Sequence, residues 1–158
     1  MAQMEAAGLI KATRQALARG ETVPQILAES WQAQALARAV GGRLASRGPR
    51  ELRSHARELA ATGGRRIPRQ FAQYESGARA ALLSGVDEPR MVLVDLGELL
   101  GECAAALVGI AARAEEAALY WQCVEAIDAL DESGDRVAGM LRALEVPEEH
   151  GGLADHLP

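Results

Sequence analysis

The chain has 158 residues, which is enough for one domain with a substantial hydrophobic core. Alanine and leucine dominate its apolar content and only 3% of its residues are aromatic, a composition that favours helices over strands. No apolar run reaches the roughly 18 to 20 residues that cross a bilayer, and the N-terminus has no charged leader followed by an apolar stretch. Two cysteines are too few for a disulfide framework. We therefore expect a cytoplasmic protein without a membrane segment.

The charge is divided unevenly along the chain. Residues 1–84 hold thirteen Lys and Arg against six Asp and Glu, whereas residues 85–158 hold four against sixteen. Such a split indicates either a basic region that binds an anionic partner or two halves that fold onto each other. We favour the second interpretation.

Four helices are predicted in the first half of the chain from the residues that start and stop them. Threonine and proline are typical of a first turn, and glycine is typical of a helix end. The predicted helices run from about Ala2 to Arg19, from the capping box Thr22-Val23-Pro24-Gln25 to Gly48-Pro49, from there to Gly63-Gly64, and over Phe71 to Leu82 before Gly85.

Two long helices are predicted in the second half, from about Glu88 to Ala112 and from about Ala114 to Leu144. The second has apolar residues at alternating intervals of four and three, which is a heptad seam. If the chain turns back at Arg113, the apolar seams of the two helices match, and this predicts an antiparallel helical hairpin. The matched pairs are Leu96 with Leu130, Leu99 with Ile127, Cys103 with Cys123, and Leu107 with Leu119. One continuous helix, with both seams covered by another chain, is the competing architecture.

Together these elements predict an all-α fold, a bundle of about six helices built around the hairpin. The bundle forms a single domain over residues 1–146, and residues 147–158 are predicted to be a flexible C-terminal tail because they begin with proline and contain two adjacent glycines. The two cysteines are interpreted as small apolar residues of the core.

Two features of the helices indicate where a partner could bind. Small residues recur at intervals of four on the first hairpin helix, at Gly97, Gly101, Ala105 and Gly109. Such a ridge lets another helix approach closely, either inside the bundle or in a second copy of the chain. Large rings off the main apolar stripes often anchor a neighbour. The candidate partner-binding residues are Trp31, Gly97, Gly101, Tyr120 and Trp121, and we expect a homo-oligomer.

An arginine-rich segment lies between residues 43 and 69. Its candidate anion-binding residues are Arg50, Arg53 and Arg57 on one helix face, and Arg65 and Arg66 in the loop that follows. Clustered arginines can bind the phosphates of a nucleic acid. However, the chain is acidic overall, and no aromatic residue lies among the arginines to stack a base. Ion pairing with the acidic last helix is therefore the favoured interpretation.

Carboxylates on the hairpin form another candidate site. Glu98 and Glu102 on the first helix, and Glu125 and Asp128 on the second, have spacings at which helix-borne acids can hold a divalent metal. The segments DLGE (95–98) and EAID (125–128) resemble the paired acidic motifs of the MazG-like nucleotide pyrophosphohydrolases, which implies magnesium held over a nucleotide's phosphates. That family also has an earlier Glu-x-x-Glu helix, which is missing here upstream of residue 90. The two acidic sets are also predicted to point to opposite sides, so a solvated or arginine-paired face is favoured.

Three stretches together resemble a small all-helical family of actinobacteria whose function is unknown. They are LIKATRQALA (9–18), AESWQAQALA (28–37) and LYWQCVEAIDALDESGDRVAGMLR (119–142). The resemblance implies the helical fold and no particular activity. We therefore expect a non-catalytic interaction or regulatory protein that binds through helix faces, with no cofactor. Nucleic-acid binding through the arginines is the alternative, and a magnesium-dependent nucleotide hydrolase is a more distant one.

Overall fold

The computed structural model describes the backbone of residues 3–62 and 79–156, with side chains as far as residue 145. The elements in these residues are mostly helical. In chain order they are β1 (Met4–Glu5), α1 (Ala6–Arg19), α2 (Val23–Arg47), a 3-10 turn (Arg50–Leu52), α3 (Arg53–Ala61), a second 3-10 turn (Ala80–Leu82), β2 (Leu83–Gly85), α4 (Pro89–Arg113) and α5 (Ala117–His156).

The predicted all-α fold is confirmed. The described residues contain five α-helices instead of about six, because most of the predicted fourth helix falls on residues 71–78, outside the described residues, and its end is the 3-10 turn Ala80–Leu82. The capping box of α2 is present as predicted. The Gln25 backbone N–H donates to Thr22 Oγ1 at 3.3 Å, and the Thr22 N–H donates to Gln25 Oε1 at 3.1 Å.

One element was not predicted. Strands β1 and β2 form a parallel pair in which Met4 lies opposite Leu83 and Glu5 lies opposite Gly85. These strands are only two and three residues long, which is too short to show the alternating pattern by which strands are recognised in a sequence. The pair joins the start of α1 to the segment that leads into α4.

Helices α4 and α5 form the predicted antiparallel hairpin, and they share the most extensive contact of any two elements. The chain leaves the helix at Ala114, whose N–H still donates to the carbonyl of Ala111 at 3.2 Å, and α5 begins at Ala117. The alternative of one unbroken helix is therefore wrong. Leu96, Leu99, Cys103 and Leu107 are all buried on the inner face of α4.

The register of the hairpin differs from the predicted one. A Cβ atom built on Gly97 would lie 3.6 Å from Cγ1 of Val137, whereas a turn at Arg113 would bring Gly97 level with Ala129. The turn occupies residues 114–116 instead of a single position, and this displaces α5 along α4. The predicted pairs are therefore shifted out of register, although the residues still belong to one core.

The core extends from α1 to α5 and includes a buried polar cluster. Gln34 on α2 donates through Nε2 to the Thr62 carbonyl at 3.2 Å, and its Oε1 accepts a hydrogen bond from Ser133 Oγ of α5 at 2.8 Å. The Ser133 and Thr62 hydroxyls are 2.9 Å apart. Because all three side chains are buried, the cluster fixes how α2, the end of α3 and α5 fit together.

The last helix is longer than predicted. Its helical backbone continues to His156, beyond the expected end at Leu144 and through most of the segment predicted as a tail. A proline removes one backbone hydrogen bond from a helix, but here helical conformation is present on both sides of Pro147. Among the described helices, none combines the length and the apolar character needed to cross a membrane.

Candidate functional site

The outward face of α4 carries an apolar surface that no other described element covers. The face is bounded on one side by α1, whose Arg14 reaches over Glu98, and on the other by α5, whose Val137 lies beside Gly97. Between these borders lie exposed apolar residues that fall within about 60° of arc around the helix. We call them the α4 stripe: Val94, Gly101, Ala105, Val108 and Ala112.

The two valines of the α4 stripe are exposed to solvent, although their side chains are large and apolar. Val108 is 54% exposed, and Met91, at the same end of α4 as Val94, is 60% exposed. Isolated exposed apolar residues are common, but a row of them along one helix is typical of an interaction surface. The sequence did not separate these residues from the core, because α4 is apolar on most of its circumference.

The predicted ridge of small residues is divided between two environments. Gly97 is half-buried against α5, and Gly109 lies under the side chain of Arg113 from its own helix. At Gly101, a Cβ atom would meet no heavy atom within 4 Å. The middle of the ridge is therefore open, whereas Gly97 serves the packing of the hairpin.

The two tryptophans have opposite environments. Trp121, near the start of α5, is 60% exposed, and its ring meets the exposed ring of Tyr120 in a T-shaped arrangement with centroids 5.3 Å apart. Trp31 is only 2% exposed and belongs to the core. It is therefore not available as the partner-binding residue that the sequence suggested. It lies on the second buried face of α2, next to Leu27, and this face is covered within the bundle.

The carboxylates of α4 are held by an arginine of α1. Arg14 binds Glu102 with two hydrogen bonds, from Nε to Oε1 at 3.0 Å and from Nη2 to Oε2 at 2.6 Å, and Nη1 lies 3.3 Å from Oε2 of Glu98. Hydrogen bonding to Glu102 raises the pKa of Arg14. Glu98 and Glu102 therefore form the arginine-paired face that the sequence favoured.

The four carboxylates of the distant metal hypothesis do not converge. Glu98 and Glu102 face Arg14, whereas Glu125 and Asp128 are exposed on α5. Within residues 3–62 and 79–145, no group of three or more His, Cys, Asp or Glu side chains has the arrangement of a metal site.

The described arginines of the basic segment lie on the surface. Arg50, Arg53 and Arg57 are exposed and form no ion pair with any described carboxylate, and Arg53 donates to the Gly48 carbonyl instead. Arg65 and Arg66 lie outside the described residues. Helix α3 does pack against α5. The expected ion pairs joined arginines of the basic segment to acids of α5, but the observed pair joins an acid of α3 to an arginine of α5. Glu58 of α3 accepts from Arg136 of α5 at 2.7 Å.

Both cysteines are free and buried. Burial in apolar surroundings raises the pKa of Cys103 to about 12 and also raises the pKa of Cys123. Because the thiolate is the reactive form, both side chains are poor nucleophiles in the folded protein. This agrees with their interpretation as small apolar core residues.

Comparison with known proteins identifies the chain at the level of its family. Neither the search of curated proteins nor the search of solved structures found a match. The profile of one protein family does match, over residues 4–143, which include all of α1 to α4 and most of α5. The chain belongs to this family, which is described as a family of unknown function (DUF6099).

Proposed function

We propose that this chain is a non-catalytic, cytoplasmic helical-bundle protein that acts by binding another protein through the outward faces of α4 and α5. The observation that supports this most directly is the exposed apolar row from Val94 to Val108. Tyr120 and Trp121 are also exposed, at the start of α5 just after the turn of the hairpin. Aromatic residues and methionine are enriched at the centres of protein interfaces, and the hairpin exposes Met91 at the start of α4 and these two rings at the start of α5.

The proposal can be tested by comparing what wild-type and surface-variant chains bind in cells. Val108→Asp places a charge in the α4 stripe, and Gly42→Asp makes the same kind of change at an exposed position of α2 where a Cβ atom meets nothing within 4 Å. After cross-linking in cells and purification, we expect the bound protein to be recovered equally with wild type and Gly42→Asp. Recovery should fall at least tenfold with Val108→Asp, since an unpaired charge in an apolar interface typically costs more than 1.4 kcal/mol.

A different outcome of the same comparison would contradict the proposal. If Val108→Asp and a separate Trp121→Ala variant both recover the same proteins in the same amounts as wild type, neither face is an interaction surface. Circular dichroism of the purified variants shows whether each remains helical, so that loss of binding is not confused with loss of fold.

Nucleic-acid binding is a second candidate, and it is favoured by one specific observation. Arg50 in the first 3-10 turn, and Arg53 and Arg57 on α3, are exposed and have no ion pair among the described residues. If this face binds phosphates, affinity for labelled RNA or DNA should fall by a factor of about 10 or more between 50 and 200 mM salt. The variant in which Arg50, Arg53 and Arg57 are all replaced by alanine should then reduce the slope of log affinity against log salt concentration by about 3, one for each lost phosphate contact. Binding that is absent, or that this variant leaves unchanged, contradicts the candidate.

A further inference from the structure

The two valines of the α4 stripe are placed symmetrically about Gly101. Val94 lies seven residues before Gly101 and Val108 lies seven residues after it. In a twofold interface, a residue that contacts a second residue of the other copy must itself be contacted in the same way. Two antiparallel α4 helices that cross at Gly101 satisfy this condition, because each Val94 is then level with Val108 of the other copy.

We propose, building on the function proposed above, that the protein bound by the α4 stripe is a second copy of this chain, with the two α4 helices antiparallel about a twofold axis at Gly101. The crossing point suits a close approach. A Cβ atom on Gly101 would meet nothing within 4 Å, and the neighbouring stripe residue Ala105 is also small and exposed. Small residues at a helix crossing bring the two axes toward the short end of the usual 8 to 10 Å range.

The charges at the two ends of α4 are compatible with this orientation. The N-terminal end carries Asp87, Glu88 and Arg90, and the C-terminal end carries Arg113, Glu115 and Glu116, all exposed. Antiparallel packing brings the arginine of each end near the acidic pair of the other end, but the two ends have the same net charge, so the orientation rests on the placement of the valines. The pair of Arg90 with Glu145 within the chain is 3.4 Å long and both side chains are exposed, so it holds Arg90 weakly.

The exposed apolar side chains at the two ends also match. Met91 lies beside Arg90, and Tyr120 lies just after the turn at the opposite end of α4. In the antiparallel dimer, Met91 and Arg90 of one copy reach the end that carries Tyr120 in the other. Methionine sulfur and arginine guanidinium groups both pack favourably on aromatic rings. These residues therefore extend the apolar contact beyond the valines.

The border of the stripe on the α1 side carries two carboxylates, Glu98 and Glu102. Packing about Gly101 brings Glu98 of one copy toward Glu102 of the other, which would be repulsive for bare carboxylates. In each copy, however, Arg14 hydrogen-bonds to both Glu98 and Glu102 of the same chain. Arg14 therefore offsets the charge of one of the two carboxylates and lowers the repulsion at the border that the two copies share.

Cysteine cross-linking tests the orientation directly. Val94→Cys and Val108→Cys place reactive thiols on the stripe, while Cys103 and Cys123 are buried in the folded chain. With a short bis-maleimide, we expect a mixture of the two single variants to give cross-linked dimer several-fold in excess of either variant alone. Efficient cross-linking of Val94→Cys by itself would indicate parallel helices and overturn the proposal, as would a mixture that gives no cross-link.

A glycine pair supplies the matched control for association. Gly101 and Gly42 are both exposed helical glycines with open space beyond them. By sedimentation velocity, Gly101→Leu should raise the dimer dissociation constant at least tenfold, and Gly42→Leu should leave it unchanged. Equal dimerisation of both variants contradicts the proposal. If wild type is a monomer while cellular binding still depends on Val108, the second-copy proposal fails and the proposed function stands.

Discussion

Gly41→Ala is expected to lower the free energy of unfolding by about 2 kcal/mol, whereas Gly42→Ala raises it by up to about 1 kcal/mol. The two glycines are adjacent in α2, but they face different surroundings. A Cβ atom on Gly41 would lie 2.7 Å from the backbone N of Ala60 and 2.9 Å from the carbonyl oxygen of Ala56, both in α3. Backbone atoms cannot move aside without separating α2 from α3. A Cβ atom on Gly42 meets nothing within 4 Å, so this change gains only helix propensity.

Urea unfolding followed by circular dichroism at 222 nm measures both effects. The three proteins must be compared at one protein concentration, because association of the folded state raises the midpoint. In thermal unfolding the same differences correspond to a fall of about 4 to 8 °C for Gly41→Ala and a rise of about 2 to 4 °C for Gly42→Ala. Equal midpoints for the two variants would show that α2 and α3 do not approach closely at Gly41.

The contrast between these glycines shows what local sequence signals can predict. Helix bounds depend on residues within a few positions, so Thr22, Gln25 and Gly48 predicted the ends of α2 correctly. The role of Gly41 depends on α3, which comes later in the chain. The helical pattern does give one indication, since Gly41 lies four residues after Ala37 and three before Leu44, both of which are buried.

The register of the hairpin and the environment of the aromatic rings needed tertiary information. Residues 114–116 contain neither glycine nor proline, so nothing in the sequence indicated how many residues the turn would use, and the length of the turn changes which residues are level. Trp31 and Trp121 both lie off the main stripe of their helices. Only the fold shows that other elements cover Trp31 and leave Trp121 in water.

The site was partly predictable for the same reasons. Gly101 was found because it belongs to a ridge of small residues at intervals of four, and Trp121 because it is a large ring off the heptad seam; the structure leaves both exposed. Val94 and Val108 were missed because valine is equally typical of a core, and α4 is apolar on most of its circumference. Which apolar face of a long helix remains open depends on how many neighbours pack around it, and among the described elements α1, α2 and α5 leave one face of α4 uncovered.

The buried polar cluster leads to a second large effect on stability. Gln34→Ala is expected to lower the free energy of unfolding by about 3 kcal/mol. The change opens a cavity and leaves the Thr62 carbonyl without the donor that now reaches it at 3.2 Å. Ser133 also loses its acceptor, although its hydroxyl can turn to Thr62 Oγ1, which is 2.9 Å away. Gln15→Ala, at an exposed position of α1, should change stability by less than about 0.5 kcal/mol.

The cluster should also behave as a unit. Ser133→Ala is expected to cost about 1 to 2 kcal/mol, because it leaves the buried Oε1 of Gln34 without the hydrogen bond that it accepts at 2.8 Å. Once Gln34 is alanine, this loss no longer occurs, so the double variant should be more stable than the sum of the two single effects predicts by about 1 kcal/mol. If the losses in the free energy of unfolding are strictly additive in urea unfolding, Gln34 and Ser133 contribute independently, and the predicted coupling between them is contradicted. A coupling of the predicted sign would establish that α5 is fastened to α2 by this hydrogen bond, and therefore that the hairpin presenting the α4 stripe is held in one orientation on the bundle.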